Sequence, residues 1–284
     1  MPVIKRNCPV VYGHQNQNIK EPLTGALLNF YDRNGYLFFD NLISAKEIEM
    51  LRREAIILQK TSKQDKNPRF ITEPQSGEVR SVFEIHRNVD IFSQLVKSPK
   101  LLAVAQQILN SDLYIHQSRI NYKPGFYGKE FYWHSDFETW HTEDGMPHMR
   151  ALSCSISLTD NYHFNGPLMV IPGSHNQFVP CEGTTPENHY KKSLKKQEYG
   201  VPSRESLMQL IRQGGIEIPV GSAGSVLFFD CNLMHGSNGN ITPYSRTNIF
   251  FVYNSVENKL VEPFGAERAR PEFIAAREYA PIIN

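Results

Sequence analysis

The stretch that decides the fold of this chain is Phe131–Arg150, FYWHSDFETWHTEDGMPHMR. It begins with the alternation of a β-strand and places His134 and Asp136 two residues apart. Residues i and i+2 of a strand project from the same face. An imidazole and a carboxylate on one face, joined by a second imidazole, form the two-histidine, one-carboxylate set that holds non-haem Fe(II) and leaves coordination positions open. The stretch therefore predicts two of the three ligands of an iron site.

The candidate for the third ligand is His235. It follows an apolar run, 225–234, that begins after the turn signal 221–224 and stops at Gly236. Arg246 opens the next predicted strand with a planar, permanently charged guanidinium that can bind a carboxylate through two parallel hydrogen bonds. A His-x-Asp motif, then a distal His, then an Arg one strand later is the order expected of an Fe(II)/2-oxoglutarate-dependent dioxygenase. In such an enzyme the arginine binds the far carboxylate of the oxoacid.

Each ligand candidate taken alone also fits a hydrogen-bonded polar residue inside a barrel, and it is the combination with Arg246 that favours metal ligation. Two further histidines of the same stretch, His141 and His148, lie outside the His-x-Asp triplet. We expect them to have a loop or supporting role.

The periodicity of the chain changes near residue 111. Helices are predicted at about 22–33, at about 45–60 after the capping box Ser44–Glu47, and from Ser98-Pro99 through Ile108. Short strands bounded by turn residues follow, and they suggest a sandwich or barrel. These predicted strands are Leu113–Tyr122, Tyr132–Asp136, Ala151–Leu158, Leu168–Ile171, Ile216–Ile218, Ser225–Phe229 and Thr247–Tyr253.

Three polar residues, Gln117, Arg119 and Asn121, share one face of the first predicted strand, and the adjacent His116 is expected on the opposite face. This polar face is either exposed to solvent or lines a pocket. If it points into a barrel, the three groups need hydrogen-bond partners there.

Composition narrows the class of protein. A length of 284 residues with 40% apolar content fits one domain, 1–284, with a helical part at about 22–110, a core at about 111–256 and a C-terminal segment at 257–284. A net charge of +1 without a lysine stripe argues against nucleic-acid binding. No apolar run approaches eighteen residues and no signal-peptide pattern is present, so no membrane association is expected. Four widely spaced cysteines indicate a reduced, cytoplasmic protein: Cys8, Cys154, Cys181 and Cys231.

The segment Cys181–Pro202 is polar and lacks periodicity. It is either a lid over the mouth of the barrel or a plain solvated loop.

The stretch 131–150 also resembles the signature of the ectoine hydroxylase family, in the phytanoyl-CoA dioxygenase-like group, at every fixed position. The resemblance runs from about Leu23 to Pro281 and includes Gly166–His175, GPLMVIPGSH, which is typical of the wider group. The first twenty or so residues match nothing. The resemblance implies a mainly β fold with flanking helices around a double-stranded β-helix, or jelly-roll, core. It is also compatible with a homodimer.

The resemblance further implies hydroxylation of ectoine to 5-hydroxyectoine with Fe(II), 2-oxoglutarate and O2 and release of succinate and CO2. Ectoine is a compatible solute of the stress response. The implied metal ligands are His134, Asp136 and His235. The residues implied to contact 2-oxoglutarate are Arg246, Ser245, Asn121 and Trp133. The residues implied to contact ectoine are Gln117, Trp140, Phe229, Phe250, Arg270, Ala151 and Ser153.

Ectoine carries a delocalised amidinium and a carboxylate, so it needs an aromatic face for the cation and a guanidinium for the anion. We expect Trp140 and Phe250 to supply the aromatic face and Arg270 the guanidinium, with a surface salt bridge as the alternative role for Arg270. Two other functions remain: the same chemistry on another small amino-acid-like or acyl substrate, and a non-enzymatic barrel that binds a metal or small ligand. Arg246 disfavours the second of these.

Overall fold

The computed structural model describes residues 3–13, 21–62, 67–73, 76–180 and 201–283. Of the segment predicted as a lid or loop, all but Val201 and Pro202 lies outside these residues. Within them, no helix is both long and apolar enough to cross a membrane.

Antiparallel sheets form the centre of the described chain. The strands are β1 Ile4–Lys5, β2 Tyr36–Phe39, β3 Phe70–Thr72, β4 Val79–Phe83, β5 Leu113–Lys123, β6 Phe131–His134, β7 Ala151–Ser157, β8 Leu168–Val170, β9 Gln177–Phe178, β10 Val226–Asp230, β11 His235–Ser237 and β12 Arg246–Ser255. A seven-stranded sheet has the order β2-β10-β7-β12-β5-β4-β3, a three-stranded sheet has the order β6-β11-β8, and β1 pairs with β9. The large and small sheets together form the jelly roll, which confirms the predicted fold class.

Helices flank the large sheet, and the three predicted helices are present. The capping box before α2 forms as expected, because Ser44 N–H donates to Glu47 Oε2 at 2.9 Å and Glu47 N–H donates to Ser44 Oγ at 3.3 Å. The helices are α1 Gly25–Asn34, α2 Ala45–Ser62, α3 Ile85–Asn88, α4 Asp90–Val96, α5 Pro99–Leu109, α6 Asp136–Thr139 and α7 Arg204–Gly214, with a π-helix at Trp140–Asp144 and a 3-10 turn at Ser174–Asn176.

The largest apolar cluster lies between these helices and the large sheet. Leu51 of α2 and Leu102 of α5 join Ile120, Ile156 and Phe228 of the strands, and all five side chains are buried. Each such side chain contributes about 1.5–3 kcal/mol when it leaves water. The cluster closes one face of the large sheet, so polar side chains on the other face are free to line a cavity.

Some predicted elements differ from the observed ones. Residues 216–218 form no strand and make a single bridge, Glu217 to Val170. Strands β3 and β4 and helix α7 have no counterpart among the predictions. The strand β4 is buried on both faces and therefore lacks the alternation by which a half-exposed strand is recognised.

A β-bulge in β5 changes which residues share a face. Val252 of β12 pairs with Gln117 and Tyr253 pairs with Ile115, so His116 is the extra residue. Ile115 therefore packs in the helical core, whereas Gln117 two residues later lines the cavity. The prediction that His116 points away from Gln117 rested on strict alternation and is wrong. The imidazole of His116 lies 3.3 Å from Asp144 Oδ2, beside the cavity.

The N-terminal segment, which resembled nothing in sequence, is held by a buried ion pair. Arg6 Nη1 donates to both carboxylate oxygens of Asp230 at 2.9 Å, and Arg6 Nη2 donates to the carbonyl oxygens of Pro9 and Met149 at 2.9 and 2.7 Å. The two side chains are 2% and 3% exposed. Because Asp230 ends β10, the pair ties residues 3–13 to the edge of the jelly roll.

We predict that Arg6→Ala lowers the free energy of unfolding by about 3–5 kcal/mol, because it leaves the carboxylate of Asp230 buried and unpaired. Urea unfolding followed by circular dichroism measures the change. Arg53→Ala is the matched control, since Arg53 pairs with Glu49 on the surface with side chains 74% and 62% exposed. Its cost should stay below about 1 kcal/mol. Equal costs for the two variants would contradict a structural role for Arg6.

Candidate active site

A cavity lies between the large and small sheets. Strands β4, β5 and β12 line it from one side, β6, β8 and β11 from the other, and α6 and the π-helix close one end. Nine of the predicted site residues line this cavity: His134, Asp136, His235, Arg246, Asn121, Gln117, Trp140, Phe250 and Arg270. The polar face of β5 therefore lines a pocket and is not a solvent face.

The three predicted metal ligands meet at one end of the small sheet. His235 of β11 pairs directly with His134 of β6, and their ring centroids are 4.3 Å apart. The Nε2 atoms of His134 and His235 lie 3.8 and 3.9 Å from the carboxylate of Asp136. One ligand atom from each residue lies within 4.8 Å of the others. The predicted strand 132–136 is too long, because Asp136 is the first residue of α6.

The protonation of the trio suits a metal cation. His134 donates from Nδ1 to the carbonyl oxygen of Tyr132 at 2.7 Å, and His235 donates from Nδ1 to Leu233 O at 2.9 Å, so each Nε2 lone pair is free. Burial, together with His235, lowers the pKa of His134 to about 4, which keeps it neutral at pH 7. Burial acts to raise the pKa of Asp136, but the two histidines and Arg119 hold it below its ordinary value. Two imidazole nitrogens and one carboxylate are the donor set of a non-haem Fe(II) site.

A hydrogen-bond network connects the segments that carry the three candidate metal ligands. Ser135, between His134 and Asp136, caps α6 and donates from Oγ to Asn232 Oδ1 at 2.9 Å. Asn232 precedes His235 by three residues, and its backbone N–H donates to Asp230 Oδ1 at 2.8 Å. The network links the turn before His235 to the segment that carries the other two ligands. Sequence reasoning missed Ser135 and Asn232, because a polar residue near a motif gives no sign of its partner.

Arg246 gives the cavity a cationic end, and Lys123 is its partner across β12 and β5. Arg246 is 3% exposed, and its Nε and Nη1 have no hydrogen-bond partner in the part of the chain that the structure describes. Burial lowers the pKa of Arg246 to about 10, so the guanidinium stays charged at neutral pH. Burial, with repulsion from Arg246 and Arg80, holds the pKa of Lys123 well below its ordinary value. Among the described residues, no carboxylate forms a salt bridge with Arg246 or Lys123, so this end favours an anion.

Lys123 could have been found from the sequence. It continues the alternation of Gln117, Arg119 and Asn121 by one more step, but the predicted strand ended at Tyr122. Its ammonium donates to Ser237 Oγ at 2.8 Å and to Asn238 O at 2.5 Å.

Two residues predicted to contact the oxoacid lie elsewhere. Ser245 is exposed and does not line the cavity. Trp133 packs against a separate cluster that includes Ile171. Trp133 directly precedes His134 in β6, so strand alternation directs it to the opposite face. A bulge, in which His235 pairs with His134 while Ser237 pairs with Phe131, brings Phe131, three residues before His134, into the cavity lining.

Three residues predicted to contact the substrate lie behind the lining. Ser153 donates to Asp136 Oδ2 at 3.2 Å and so contacts a ligand residue. The ring of Phe229 lies 5.0 Å from that of His235. Ala151 belongs to the apolar cluster around Trp140. In this structure these residues support the cavity walls and do not form their surface.

The remaining predicted substrate residues do line the cavity. Trp140 is buried at the start of the π-helix. The guanidinium of Arg119 lies 5.0 Å over the ring of Phe250 and donates to the side-chain oxygen of Gln117. Sequence reasoning assigned Arg119 to the polar face but gave it no role.

Arg270 is buried and does not form a surface salt bridge. Its Nε and Nη2 donate to the two carboxylate oxygens of Asp144 at 2.7 and 2.5 Å. The planar fork that was predicted to bind the substrate carboxylate is therefore bonded to a protein carboxylate. The pair connects the C-terminal segment to the π-helix.

The sequence profile of the phytanoyl-CoA dioxygenase (PhyH) family matches residues 31–248. An ectoine dioxygenase of Stutzerimonas stutzeri (strain A1501) is 53% identical over 270 residues, which cover 95% of this chain and 89% of the relative. The crystal structure of EctD from S. alaskensis with 2-oxoglutarate and 5-hydroxyectoine superimposes with a TM-score of 0.87 at 45% identity, over 99% of this chain and 96% of that chain. The structure of the same enzyme with bound Fe gives a TM-score of 0.86 at 43% identity, with the same coverage.

The order of the ligand motif and the jelly-roll fold agree with the family to which these matches point. The matches to the relative and to the EctD structures cover nearly the full length of the chain. The chain therefore belongs to the phytanoyl-CoA dioxygenase family and, within it, to the ectoine dioxygenases.

Proposed function

We propose that this protein hydroxylates ectoine at carbon 5 and couples the reaction to oxidative decarboxylation of 2-oxoglutarate. Ectoine, 2-oxoglutarate and O2 give 5-hydroxyectoine, succinate and CO2, with one oxygen atom in the new hydroxyl and the other in succinate. The observation that carries the proposal is that the metal-ligand trio, an unpaired buried arginine and an aromatic wall line one cavity.

His134, Asp136 and His235 would hold Fe(II), because each imidazole donates through Nδ1 and directs its Nε2 toward the carboxylate of Asp136. Iron bound there with 2-oxoglutarate and O2 supplies the oxidising power needed to hydroxylate an unactivated C–H bond. The network through Ser135 and Asn232 keeps the three ligand atoms in place, so little reorganisation is needed when the metal binds.

The cationic end of the cavity would bind the distal carboxylate of 2-oxoglutarate. Arg246 offers two nitrogen atoms that have no partner among the described residues, and the amino group of Lys123 lies next to Ser237. Asn121 lines the same region and accepts a hydrogen bond from Ser81 at 2.8 Å through Oδ1, which leaves its amide N–H groups for the oxoacid. Orientation of the oxoacid by these groups is the contribution of the protein to this half of the reaction.

The substrate would lie between Trp140 and Phe250, whose ring faces suit a delocalised amidinium. Arg119 is the better partner for its carboxylate, since among the described residues Arg119 bonds to a neutral amide oxygen whereas Arg270 is bonded to Asp144. The buried lining excludes water from the reacting groups. An acyl substrate would leave these charged groups without partners, which favours a small zwitterion over it.

The cellular setting is part of the proposal. The three described cysteines are free thiols, and Cys154 and Cys231 are buried, as expected of a reduced, cytoplasmic enzyme. A net charge of +1 gives no reason to expect a nucleic-acid partner. A homodimer stays a prediction from the family resemblance.

We predict that the Fe(II) protein, reconstituted without oxygen, converts ectoine to a product 16 mass units heavier once O2 and 2-oxoglutarate are added, with one succinate formed per product. Mass spectrometry and succinate quantitation measure both. Succinate formation that does not depend on ectoine would favour another substrate. Metal binding without any consumption of 2-oxoglutarate would favour the non-enzymatic alternative.

We predict that His134→Ala, Asp136→Ala and His235→Ala each lose tight Fe(II) binding, because each removes one corner of a three-point site. Calorimetric titration with Fe(II) under nitrogen gives the affinity, and circular dichroism checks the fold. His141→Ala is the matched control. That imidazole bonds to Met146 O at 2.8 Å and stacks on Phe264, outside the cavity lining. Unchanged iron affinity in any one of the three alanine variants would remove that residue from the ligand set.

We predict that Arg246→Ala weakens 2-oxoglutarate binding by at least about tenfold, since a hydrogen bond to a charged group is worth about 1.5–3 kcal/mol. Arg246→Lys should restore only part of the affinity, because an ammonium cannot reproduce the planar fork. Titration of the anaerobic Fe(II) protein with 2-oxoglutarate measures the effect. Ser245→Ala tests the predicted contact of Ser245 with the oxoacid, and Ser237→Ala changes the serine that lines the cavity in the structure. A larger loss in the Ser245 variant would favour the sequence prediction over the observed placement.

A further inference from the structure

Glu143 is a buried carboxylate in the cavity wall that the reaction as described does not use. It lies on the π-helix three residues after Trp140, and both residues line the cavity. Glu143 is only 7% exposed. Its side chain accepts no hydrogen bond from the part of the chain that the structure describes.

The nearest cation does not neutralise Glu143. Arg270 Nε is 3.8 Å from Glu143 Oε2, beyond hydrogen-bond distance, and the same nitrogen is bonded to Asp144. Burial raises the pKa of Glu143 above its ordinary value. The positive charge of Arg270 lowers this pKa and the negative charge of Asp144 raises it further, so Arg270 does not offset the cost of burying the Glu143 carboxylate. A buried carboxylate in this condition is stabilised by a cation that enters the cavity.

The other charges of the cavity already have partners in the proposed reaction. Asp136 belongs to the metal site, Arg246 faces the oxoacid, and Arg270 is paired with Asp144. Two charges of opposite sign remain among the described lining residues, the guanidinium of Arg119 and the carboxylate of Glu143. A cavity that holds one cation and one anion for the substrate is complementary to a zwitterion.

We propose that Glu143 is the counter-ion of the substrate's ring cation, accepting hydrogen bonds from the amidinium N–H groups while Trp140 covers the ring face. This inference rests on the proposed function and names the residue that selects a cationic ring. Arg119 holds the carboxylate at the other end, so the two charges set the orientation of the ring relative to the metal ligands. A neutral ring of the same size would leave Glu143 buried without a partner.

The test compares two ligands in the anaerobic Fe(II) protein saturated with 2-oxoglutarate. One is ectoine and the other is 6-oxopiperidine-2-carboxylate, a six-membered lactam that keeps the carboxylate but carries no positive charge. Calorimetry gives the dissociation constants without turnover. We expect Glu143→Gln to weaken ectoine binding by about tenfold or more while lactam binding stays equal or tightens, and Glu143→Asp to keep the preference for ectoine.

Glu138→Gln is the matched control, since Glu138 is a buried carboxylate of α6 that does not line the cavity. It should leave both dissociation constants unchanged. Equal ectoine affinity in Glu143→Gln and the parent protein would overturn the inference and leave the proposed function standing. A parent protein that binds no ectoine would overturn both. If Glu143→Gln does not fold, the test uses the affinities of the parent protein for the two ligands. Equal affinity for ectoine and the lactam would overturn the inference. A preference for ectoine that Glu143→Asp retains would support it.

Discussion

The direct pairing of His235 with His134 across β6 and β11 is the interaction on which the site depends. This register brings two imidazoles that are distant in sequence to a ring separation of 4.3 Å. Asp136 follows because Ser135 caps α6 and turns the chain immediately after the strand. A slip of one residue in this register would move a histidine to the other face of the small sheet. The metal chemistry therefore depends on backbone hydrogen bonds as much as on the ligands themselves.

Buried charge is used in two ways in this protein. Arg6 with Asp230 and Arg270 with Asp144 are paired through two hydrogen bonds each, and they fix the N-terminal and C-terminal segments to the jelly roll. Arg246, by contrast, is equally buried and has two nitrogen atoms for which the described residues supply no partner. Because an unpaired buried ion is costly, the protein retains such groups where a ligand completes the pairing. The buried charges with a structural role are those that form ion pairs within the protein, whereas burial alone does not distinguish them from the charges that line the cavity.

The strands that carry the site depart from regular geometry at the positions that matter. The bulge at His116 changes the phase of β5, so that its second half presents Gln117, Arg119 and Asn121 to the cavity. The bulge in β6 of the small sheet brings Phe131 into the cavity lining. The π-helix that follows α6 places an aromatic ring and a carboxylate in the same wall. Each of these irregularities directs into the cavity wall a side chain that a regular strand or helix would direct away from it.

The sequence by itself predicted the family, the jelly roll with its main helices, and the candidate ligand set and Arg246 that the structure brings to one cavity. These features lie in local motifs and in regular periodicity, which the chain carries without reference to distant residues. Only the tertiary structure decided that Phe131 enters the cavity lining, that Lys123 pairs with Arg246, and that Arg270 is bonded to Asp144. The reason is physical: a bulge is defined by the partner strand, and whether a charged side chain is paired depends on residues far along the chain.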